Sequence, residues 1–293
     1  MTSAFYKDWL KSLNAEEQKK FAGILQKSPD EIQKILKKQF LGKFKMRCTI
    51  TQDHLNITLE SDNKPSRQIT VRSRIRPVNE YVSACVKIFK ISNCELHLHD
   101  TFKTYKDVME ILKDCKVSNV TAWETRKEKT NPETFLDLFG NVPEVSIQNL
   151  NWVGGVIHRP KAVPFEFKKL YVANGTWVSI KHLTETLIDC EEVLLRECVL
   201  SNLEARSFLK RWIVGSRMRK IFIGYSRFNL KTIMKNLPAT PFIGTICVDY
   251  KDYKMSEGQC YIIQQNNGRR AAVFQNDDKY FLGLSTKFKS RAY

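Results

Sequence analysis

Short triplets of the form apolar-x-apolar recur along the middle of the chain at a nearly constant interval. Their first residues stand at positions 96, 120, 145, 170, 193, 221 and 246. Each triplet alternates as a half-buried strand does, and the successive starting positions are 24, 25, 25, 23, 28 and 25 residues apart. An interval of about 20–29 residues is typical of leucine-rich repeats, whose units each contribute a strand and a helix. Ile69-Thr70-Val71 is a candidate for one earlier unit.

The segments between the triplets carry the hydrophobic spacing of helices. Apolar residues fall on one face over residues 105–112 and again over residues 180–188, as expected for amphipathic helices. Ser201-Asn202-Leu203-Glu204 has the form of a capping box, whose serine and glutamate side chains bind free amides at the start of a helix. Strands alternating with helices predict an α/β fold, a leucine-rich-repeat-like solenoid over residues 46–250.

The two ends of the chain have patterns of their own. Ser28-Pro29-Asp30-Glu31 is typical of a helix start, and with a shorter helix over residues 16–25 it predicts a helical module at residues 1–45. Near the other end, two strand-like segments flank Asn266-Asn267-Gly268, a sequence that favours a hairpin turn. Residues 251–293 are therefore expected to form a small β-hairpin cap.

Composition and charge describe a basic globular protein. The chain has 293 residues, 42% of them hydrophobic, and a formal net charge of +17, which favours acidic partners. Its start has no apolar core of a secretion signal, and no stretch of about 18 residues avoids charge. The eight cysteines are scattered rather than dense, as in reduced proteins. We expect an intracellular protein, cytoplasmic or nuclear, without a membrane partner.

The common catalytic and cofactor motifs are missing from the sequence. It contains neither of the glycine-rich phosphate-binding motifs, Gly-x-x-x-x-Gly-Lys-Ser/Thr and Gly-x-Gly-x-x-Gly. It also lacks the Gly-x-Ser-x-Gly and His-Glu-x-x-His motifs. His97 and His99 share one face of a predicted strand, but no Cys-x-x-Cys pair completes a zinc site with them. We therefore predict no cofactor, no metal site and no enzyme activity.

A basic cluster offers an alternative function. Between residues 206 and 235 there are nine bases and no acid. The nine are Arg206, Lys210, Arg211, Arg217, Arg219, Lys220, Arg227, Lys231 and Lys235. Together with nearby aromatic residues such as Trp212, they form a candidate nucleic-acid-binding surface. The other interpretation is a solvated basic face, since basic surface alone binds nucleic acids only nonspecifically.

The repeat also predicts which residues form an exposed row. In such a solenoid, the middle residue of each triplet and its outer neighbours point to the concave face of the sheet. The row is chemically mixed and includes aromatic side chains, which often anchor protein interfaces. The predicted partner-binding row consists of His97, His99, Thr121, Trp123, Ser146, Gln148, Tyr171, Leu194, Arg196 and Phe222.

Two segments resemble a known family. Residues 190–216, with Leu200-Ser201-Asn202-Leu203 and Trp212-Ile213-Val214-Gly215-Ser216, are similar to the signature of the nematode F-box-associated domain family (type 2, Sdz-33-like). Asn267-Gly268-Arg269-Arg270-Ala271 is similar to the closing Asp-Gly-Arg-x-Ala hairpin of that family, with asparagine in place of the acid. The resemblance covers about residues 90–285. It implies a module that captures a target protein for an SCF-type ubiquitin ligase.

The N-terminal residues depart from what the resemblance implies. Members of the family usually carry an F-box that docks on the Skp-type adaptor of the cullin ligase, and an F-box opens with Leu-Pro. Here Leu13 is followed by Asn14, and the first proline is Pro29. Residues 1–45 therefore resemble a degenerate or lost F-box, with adaptor docking in doubt. Its candidate docking residues are Leu25, Ile32, Ile35 and Leu36.

Overall fold

The computed structural model of the chain forms two compact units, residues 1–128 and residues 129–293. The structure describes residues 27–39, 43–51, 55–61, 64–73, 78–99, 102–123, 132–148, 163–224, 227–276 and 281–292, together with residues 11, 15, 18 and 19. Most of the helix expected at residues 16–25, including Leu25, lies outside the described residues. Both units contain helices and a β-sheet, so the α/β class is confirmed.

The described part of the first unit combines helices with a mixed sheet. Its helices are α1 (Pro29–Gln39), α2 (Val78–Ile88) and α3 (Phe102–Ile111). Its strands are β1 (Lys43–Thr51), β2 (Leu55–Ser61), β3 (Lys64–Ser73), β4 (Lys90–His99) and β5 (Val117–Trp123). The strand order is β5-β4-β1-β2-β3. β4 pairs in parallel with β1 and with β5, whereas β2 pairs antiparallel with β1 and with β3.

The triplet Ile69-Thr70-Val71 does not form the extra parallel unit suggested by the sequence. It lies in β3, where Val71 pairs with Ile57 of antiparallel β2. The strand that precedes β4 in the parallel ladder is β1, in which Thr49 pairs with His97. The links from β1 to β2 and from β2 to β3 are too short for a parallel crossover, which needs about a dozen residues. Such short links join antiparallel strands.

The described part of the second unit contains a larger sheet and a small one. Its helices are α4 (Pro132–Leu138), α5 (Asn202–Val214) and α6 (Leu230–Met234), with a π-helical turn at His182–Thr186. Its strands are β6 (Glu144–Gln148), β7 (Lys169–Val172), β8 (Glu192–Leu195), β9 (Lys220–Gly224), β10 (Ala239–Pro241), β11 (Gly244–Val248), β12 (Lys251–Met255), β13 (Cys260–Gln264), β14 (Arg270–Asn276), β15 (Phe281–Ser285) and β16 (Lys289–Ala292). The larger sheet runs β10-β13-β14-β15-β9-β8-β7-β6 and the small sheet runs β12-β11-β16.

Four of the predicted triplets form a parallel ladder in this unit. β6, β7, β8 and β9 lie side by side in chain order, each parallel to the next. In each strand the first and third residues of the triplet are buried and the middle residue is half-buried. This alternation places the middle residues on the opposite face from the core residues, as the sequence predicts.

The last triplet, Ile246-Cys247-Val248, does not continue the ladder. It lies in β11, which pairs antiparallel with β12 and β16 in the small sheet. The place beside β9 is taken by β15, which runs antiparallel to it. Ile246 and Val248 are buried in a separate core with Phe274 and Phe281. The interval between triplets is thus kept although the strand belongs to another sheet.

Local signals at the helix ends and the hairpin are confirmed. The Ser201 hydroxyl accepts a hydrogen bond from the Glu204 amide, and the Glu204 carboxylate accepts one from the Ser201 amide, which completes the capping box of α5. β13 and β14 form the expected hairpin, and its turn places Gly268 at a φ of +88°, which favours glycine. None of the described helices is long and apolar enough to cross a membrane.

Candidate functional site

The face opposite the core of β6–β8 is the best-defined surface in the second unit. Ser146 pairs with Tyr171, and Tyr171 pairs with Leu194, so the three side chains lie side by side across neighbouring strands. All three are half-buried. At the end of β6, the side-chain amide of Gln148 donates a hydrogen bond of 2.9 Å to the Ser146 hydroxyl. We call Ser146, Gln148, Tyr171, Leu194 and Arg196 the sheet face.

Arg196 joins this surface from the residue that follows β8. Its guanidinium carbon lies 5.6 Å from the centroid of the Tyr171 ring, a cation–π distance. The Arg196 amide donates to the Val172 carbonyl at 2.8 Å, and the Arg196 carbonyl accepts from the Gly175 amide at 2.7 Å. A Cβ on residue 175 would lie only 2.8 Å from the Arg196 carbonyl oxygen. Gly175 therefore permits the close approach that holds the Arg196 backbone in place.

A row of paired charges borders the sheet face at the start of the strands. Lys169 contacts Glu144 at 3.1 Å, and Lys220 contacts Glu192 at 3.2 Å and Asp249 at 2.7 Å. Burial disfavours the charged form of Lys220, but these two carboxylates outweigh it and its pKa is raised. Arg196, in contrast, has no acidic partner among the described residues. The sheet face thus carries one uncompensated positive charge.

Phe222 follows Leu194 in the row, but its ring contributes to an internal core. The ring centroid lies 5.4 Å from that of Phe281 and 6.0 Å from that of Phe274. It packs partly buried against the cluster that joins the small sheet to the larger one. A Cβ on Gly283 would lie 2.7 Å from the Phe274 ring and 3.0 Å from the Phe222 ring. The exposed row expected from the sequence accordingly loses Phe222 to this packing.

The remaining predicted row residues lie together in the first unit. His97 pairs with Thr121 across β4 and β5. The rings of His99 and Trp123 stack with centroids 3.7 Å apart, and the His97 ring lies 6.2 Å from Trp123. Burial lowers the pKa of both histidines, aided at His97 by Arg47 and at His99 by His97. Among the described residues, no cluster of His, Cys, Asp and Glu is arranged to hold a metal ion.

The candidate docking residues of α1 lie mainly in the core of the first unit. Ile32 is 4% exposed and Leu36 is fully buried, whereas Ile35 is half-buried. The side-chain amide of Gln33 also donates to the Lys87 carbonyl, at the end of α2, at 3.2 Å. Of the three described candidates, Ile35 alone offers apolar surface to a partner.

Most members of the basic cluster already have partners within the second unit. Arg217 contacts Glu166 at 2.6 Å, Arg219 contacts Glu191 at 3.8 Å, and Lys231 contacts Glu257 at 3.3 Å, while Lys220 is paired as described above. Two others donate to carbonyls at helix ends: Arg206 to Thr232 and Ile233, and Arg211 to Gly215. The exposed bases with neither an ion pair nor a side-chain hydrogen bond among the described residues are Lys210, Arg227 and Lys235. Six of the nine bases are therefore held by contacts within the second unit.

The two segments that carry the family resemblance contact each other. Trp212 is fully buried, and its indole N–H donates to the Met218 carbonyl at 3.0 Å. The side-chain amide of Gln265 donates to the carbonyls of Trp212 and Ser216 at 3.0 and 3.1 Å. The Arg269 guanidinium also donates to the Ser216 carbonyl, at 3.1 Å. These signature residues therefore join α5 to the terminal hairpin, and their role is structural.

A buried contact between His182 and Glu133 is a feature that the sequence did not reveal. His182 Nδ1 accepts the Ser179 amide N–H at 3.0 Å and lies 2.8 Å from Ser179 Oγ. His182 Nε2 lies 3.3 Å from a carboxylate oxygen of Glu133, and both side chains are buried. An amide can only donate, so Nδ1 carries no proton and the imidazole proton is on Nε2. The Ser-x-x-His spacing imitates a capping box, and the contact fastens the π-helical turn to α4.

Comparison with known proteins supports the family resemblance that the signature residues carry. A model of the F-box associated family matches residues 159–221, a segment that includes Tyr171, Leu194 and Arg196. The chain is 25% identical over 189 residues to the Skn-1 dependent zygotic transcript 15 protein of Caenorhabditis elegans, covering 60% of this chain and 53% of that protein. The aligned part of the chain therefore spans about half the length of this curated relative. The resemblance of the chain to the nematode F-box associated family is thus confirmed.

Proposed function

We propose that the chain is a noncatalytic protein-recognition module that binds a target protein on the sheet face. The observation that carries this proposal is the open surface formed by Tyr171, Leu194 and Arg196 within the segment that matches the F-box associated family. Domains of this kind are protein-interaction domains, and their usual setting is a ubiquitin ligase. The role that fits is a substrate receptor of an SCF-type ligase, or a protein derived from one, acting in the cytoplasm or nucleus.

Parallel strands at a nearly constant interval support the use of this face. β6–β9 in the second unit are parallel neighbours in chain order, as are β4 and β5 in the first unit. Their starting positions keep the interval of 23 to 28 residues. Repeats of this kind generally bind partners on the extended surface formed by their strands. We infer that the described strands are units of such a repeat.

The set of Ser179, His182 and Glu133 does not support an enzymatic alternative. Its residue types match a hydrolytic triad, but His182 Nδ1 receives the Ser179 amide as well as the hydroxyl. The imidazole thereby holds the backbone of the turn, as the glutamate of a capping box does. Protein recognition therefore fits the geometry better than catalysis.

The ligase link is tested by direct binding of the purified full chain to a Skp-type adaptor with its cullin. We expect binding that Ile35→Asp weakens about tenfold, while Lys37→Ala, at an exposed site on the same helix, serves as the matched control. Failure of the folded full chain to bind the adaptor would remove the ligase link. It would leave a stand-alone interaction domain.

Target binding is tested by comparing the proteins captured by the full chain and by two variants. Tyr171→Ala is expected to lose a specific subset of the captured proteins, because it removes the ring at the centre of the sheet face. Lys235→Ala, at an exposed base outside the sheet face, is expected to retain that subset. An identical set of proteins from all three forms would contradict the proposed function.

A further inference from the structure

We propose that Arg196 and Tyr171 form a subsite for an acidic side chain, aspartate or glutamate, of the bound target. This inference rests on the proposed function, since it specifies the chemistry that the sheet face recognises. Its starting point is the contrast between Arg196 and the neighbouring cations. Lys169 and Lys220 are each paired with a carboxylate, whereas Arg196 has no acidic partner among the described residues.

The contact with Tyr171 leaves the donors of Arg196 free. The guanidinium carbon lies 5.6 Å from the ring centroid, a cation–π contact that pairs the arginine with no hydrogen-bond acceptor atom. Within the described chain, neither the Arg196 guanidinium nor the Tyr171 hydroxyl forms a hydrogen bond. Arginine N–H groups match a carboxylate in bidentate geometry, and the phenol can supply a further donor. The pair therefore offers several unused donors at one point.

The subsite is also held in position before a ligand arrives. The Arg196 backbone is fixed on one side by the Val172 carbonyl and on the other by the Gly175 amide. The next residue, Glu197, has a φ of 52°, which turns the chain away directly after the arginine. A preorganised backbone lowers the entropic cost of binding.

The surroundings favour an acidic residue of a protein over a nucleic acid. Lys169 and Lys220 at the border of the sheet face are already paired with Glu144 and Glu192, so a second or third phosphate along a polyanion would have to displace these carboxylates. Leu194 lies beside Tyr171 in register and offers apolar contact to a neighbouring side chain of the target. The chemistry that fits is an aspartate or glutamate next to an apolar residue in the target chain.

The experiment uses an array of degenerate nine-residue peptides probed with the labelled full chain. We expect position-specific enrichment of Asp or Glu beside an apolar residue. Arg196→Gln should reduce that enrichment about tenfold, an effect of the size expected from losing one charge-assisted contact. Lys235→Gln, which removes an exposed base outside the sheet face, is the matched control and should leave the enrichment unchanged.

Three outcomes would overturn the inference: no bound peptide, no acidic preference, or an acidic preference that Arg196→Gln does not change. Single-stranded DNA that binds the full chain and competes with the peptides would also overturn it, in favour of a polyanion. Peptides that bind without acidic preference but are lost in Tyr171→Ala would leave the proposed function intact. Unchanged protein capture by Tyr171→Ala would instead remove the proposed function itself.

Discussion

The guanidinium of Arg196 lies over the ring of Tyr171, with 5.6 Å between its central carbon and the ring centroid. Tyr171 lies in β7, and Arg196 directly follows β8, the next strand of the parallel ladder. The backbone contact between Arg196 and Gly175 holds the arginine in position. A charged group is thereby kept at the surface of a sheet on which Lys169 pairs with Glu144, and Lys220 with Glu192 and Asp249. This relationship connects the repeat pattern of the sequence to a specific binding chemistry.

Gly175→Ala is expected to disturb the sheet face and to destabilise the second unit by about 1–3 kcal/mol, the usual range for overpacking. The reason is that the new Cβ would lie 2.8 Å from the Arg196 carbonyl oxygen. Urea unfolding measures the change in the free energy of unfolding. Gly215→Ala is the matched control, because no atom lies within 4 Å of its Cβ position. Equal stability of the two variants would contradict the close approach.

Gly283→Ala is expected to lower the free energy of unfolding by a similar amount, about 1–3 kcal/mol. Its Cβ would meet the Phe274 ring at 2.7 Å and the Phe222 ring at 3.0 Å. Combining it with Phe222→Leu should recover part of the loss, because the smaller side chain leaves room. If the two changes were simply additive, Phe222 would not pack in this cluster and could instead belong to the exposed row.

His182→Ala is expected to destabilise the chain by about 2–4 kcal/mol, because it removes the acceptor of the half-buried Ser179 amide and the buried contact with the Glu133 carboxylate. His182→Gln should cost less, since a glutamine can still accept from the Ser179 amide as in a capping box. Thermal or urea unfolding of both variants measures the difference. A larger loss in His182→Gln than in His182→Ala would contradict this capping role.

The stability of the chain is expected to fall as the pH drops from about 7 to about 5. Burial lowers the pKa of His97 and His99 in the folded state, whereas in the unfolded chain both titrate near about 6.5. Below that pH the unfolded state binds more protons, so acid favours unfolding. Urea midpoints at the two pH values, for the full chain and for a His97→Gln, His99→Gln variant, measure the effect. A pH dependence equally steep in the variant would contradict this assignment.

The sequence predicted those parts of the structure that depend on local pattern. The triplets at residues 145, 170, 193 and 221 became parallel neighbours, and Ser201 and Glu204 formed their capping box. The triplet at Ile246 has the same alternation, but alternation does not specify which strand becomes its neighbour. Ile246 is buried in one cluster with Phe274 and Phe281, and such packing between separate strands cannot be inferred from the alternation of one triplet.

In the candidate site, too, local pattern was predictable and contacts between distant residues were not. The period of a strand placed Tyr171 and Leu194 on one face, and the register confirms that they are neighbours. The sequence could not show that Arg196 has no acidic partner in the described part of the chain, or that Arg217 and Lys220 have one, because ion pairs form between distant residues. The contact of His182 with Glu133 spans almost 50 residues and left only the Ser-x-x-His spacing as a local signal.

The most direct test of the account is site-specific photo-crosslinking of the full chain to its target. A photo-reactive phenylalanine analogue is introduced in place of Ser146 on the sheet face and, in a control, in place of Lys235 on the exposed basic surface. The account predicts a protein adduct from position 146 that Arg196→Gln weakens, and no such adduct from position 235. An adduct from position 235 with none from position 146 would contradict target binding on the sheet face.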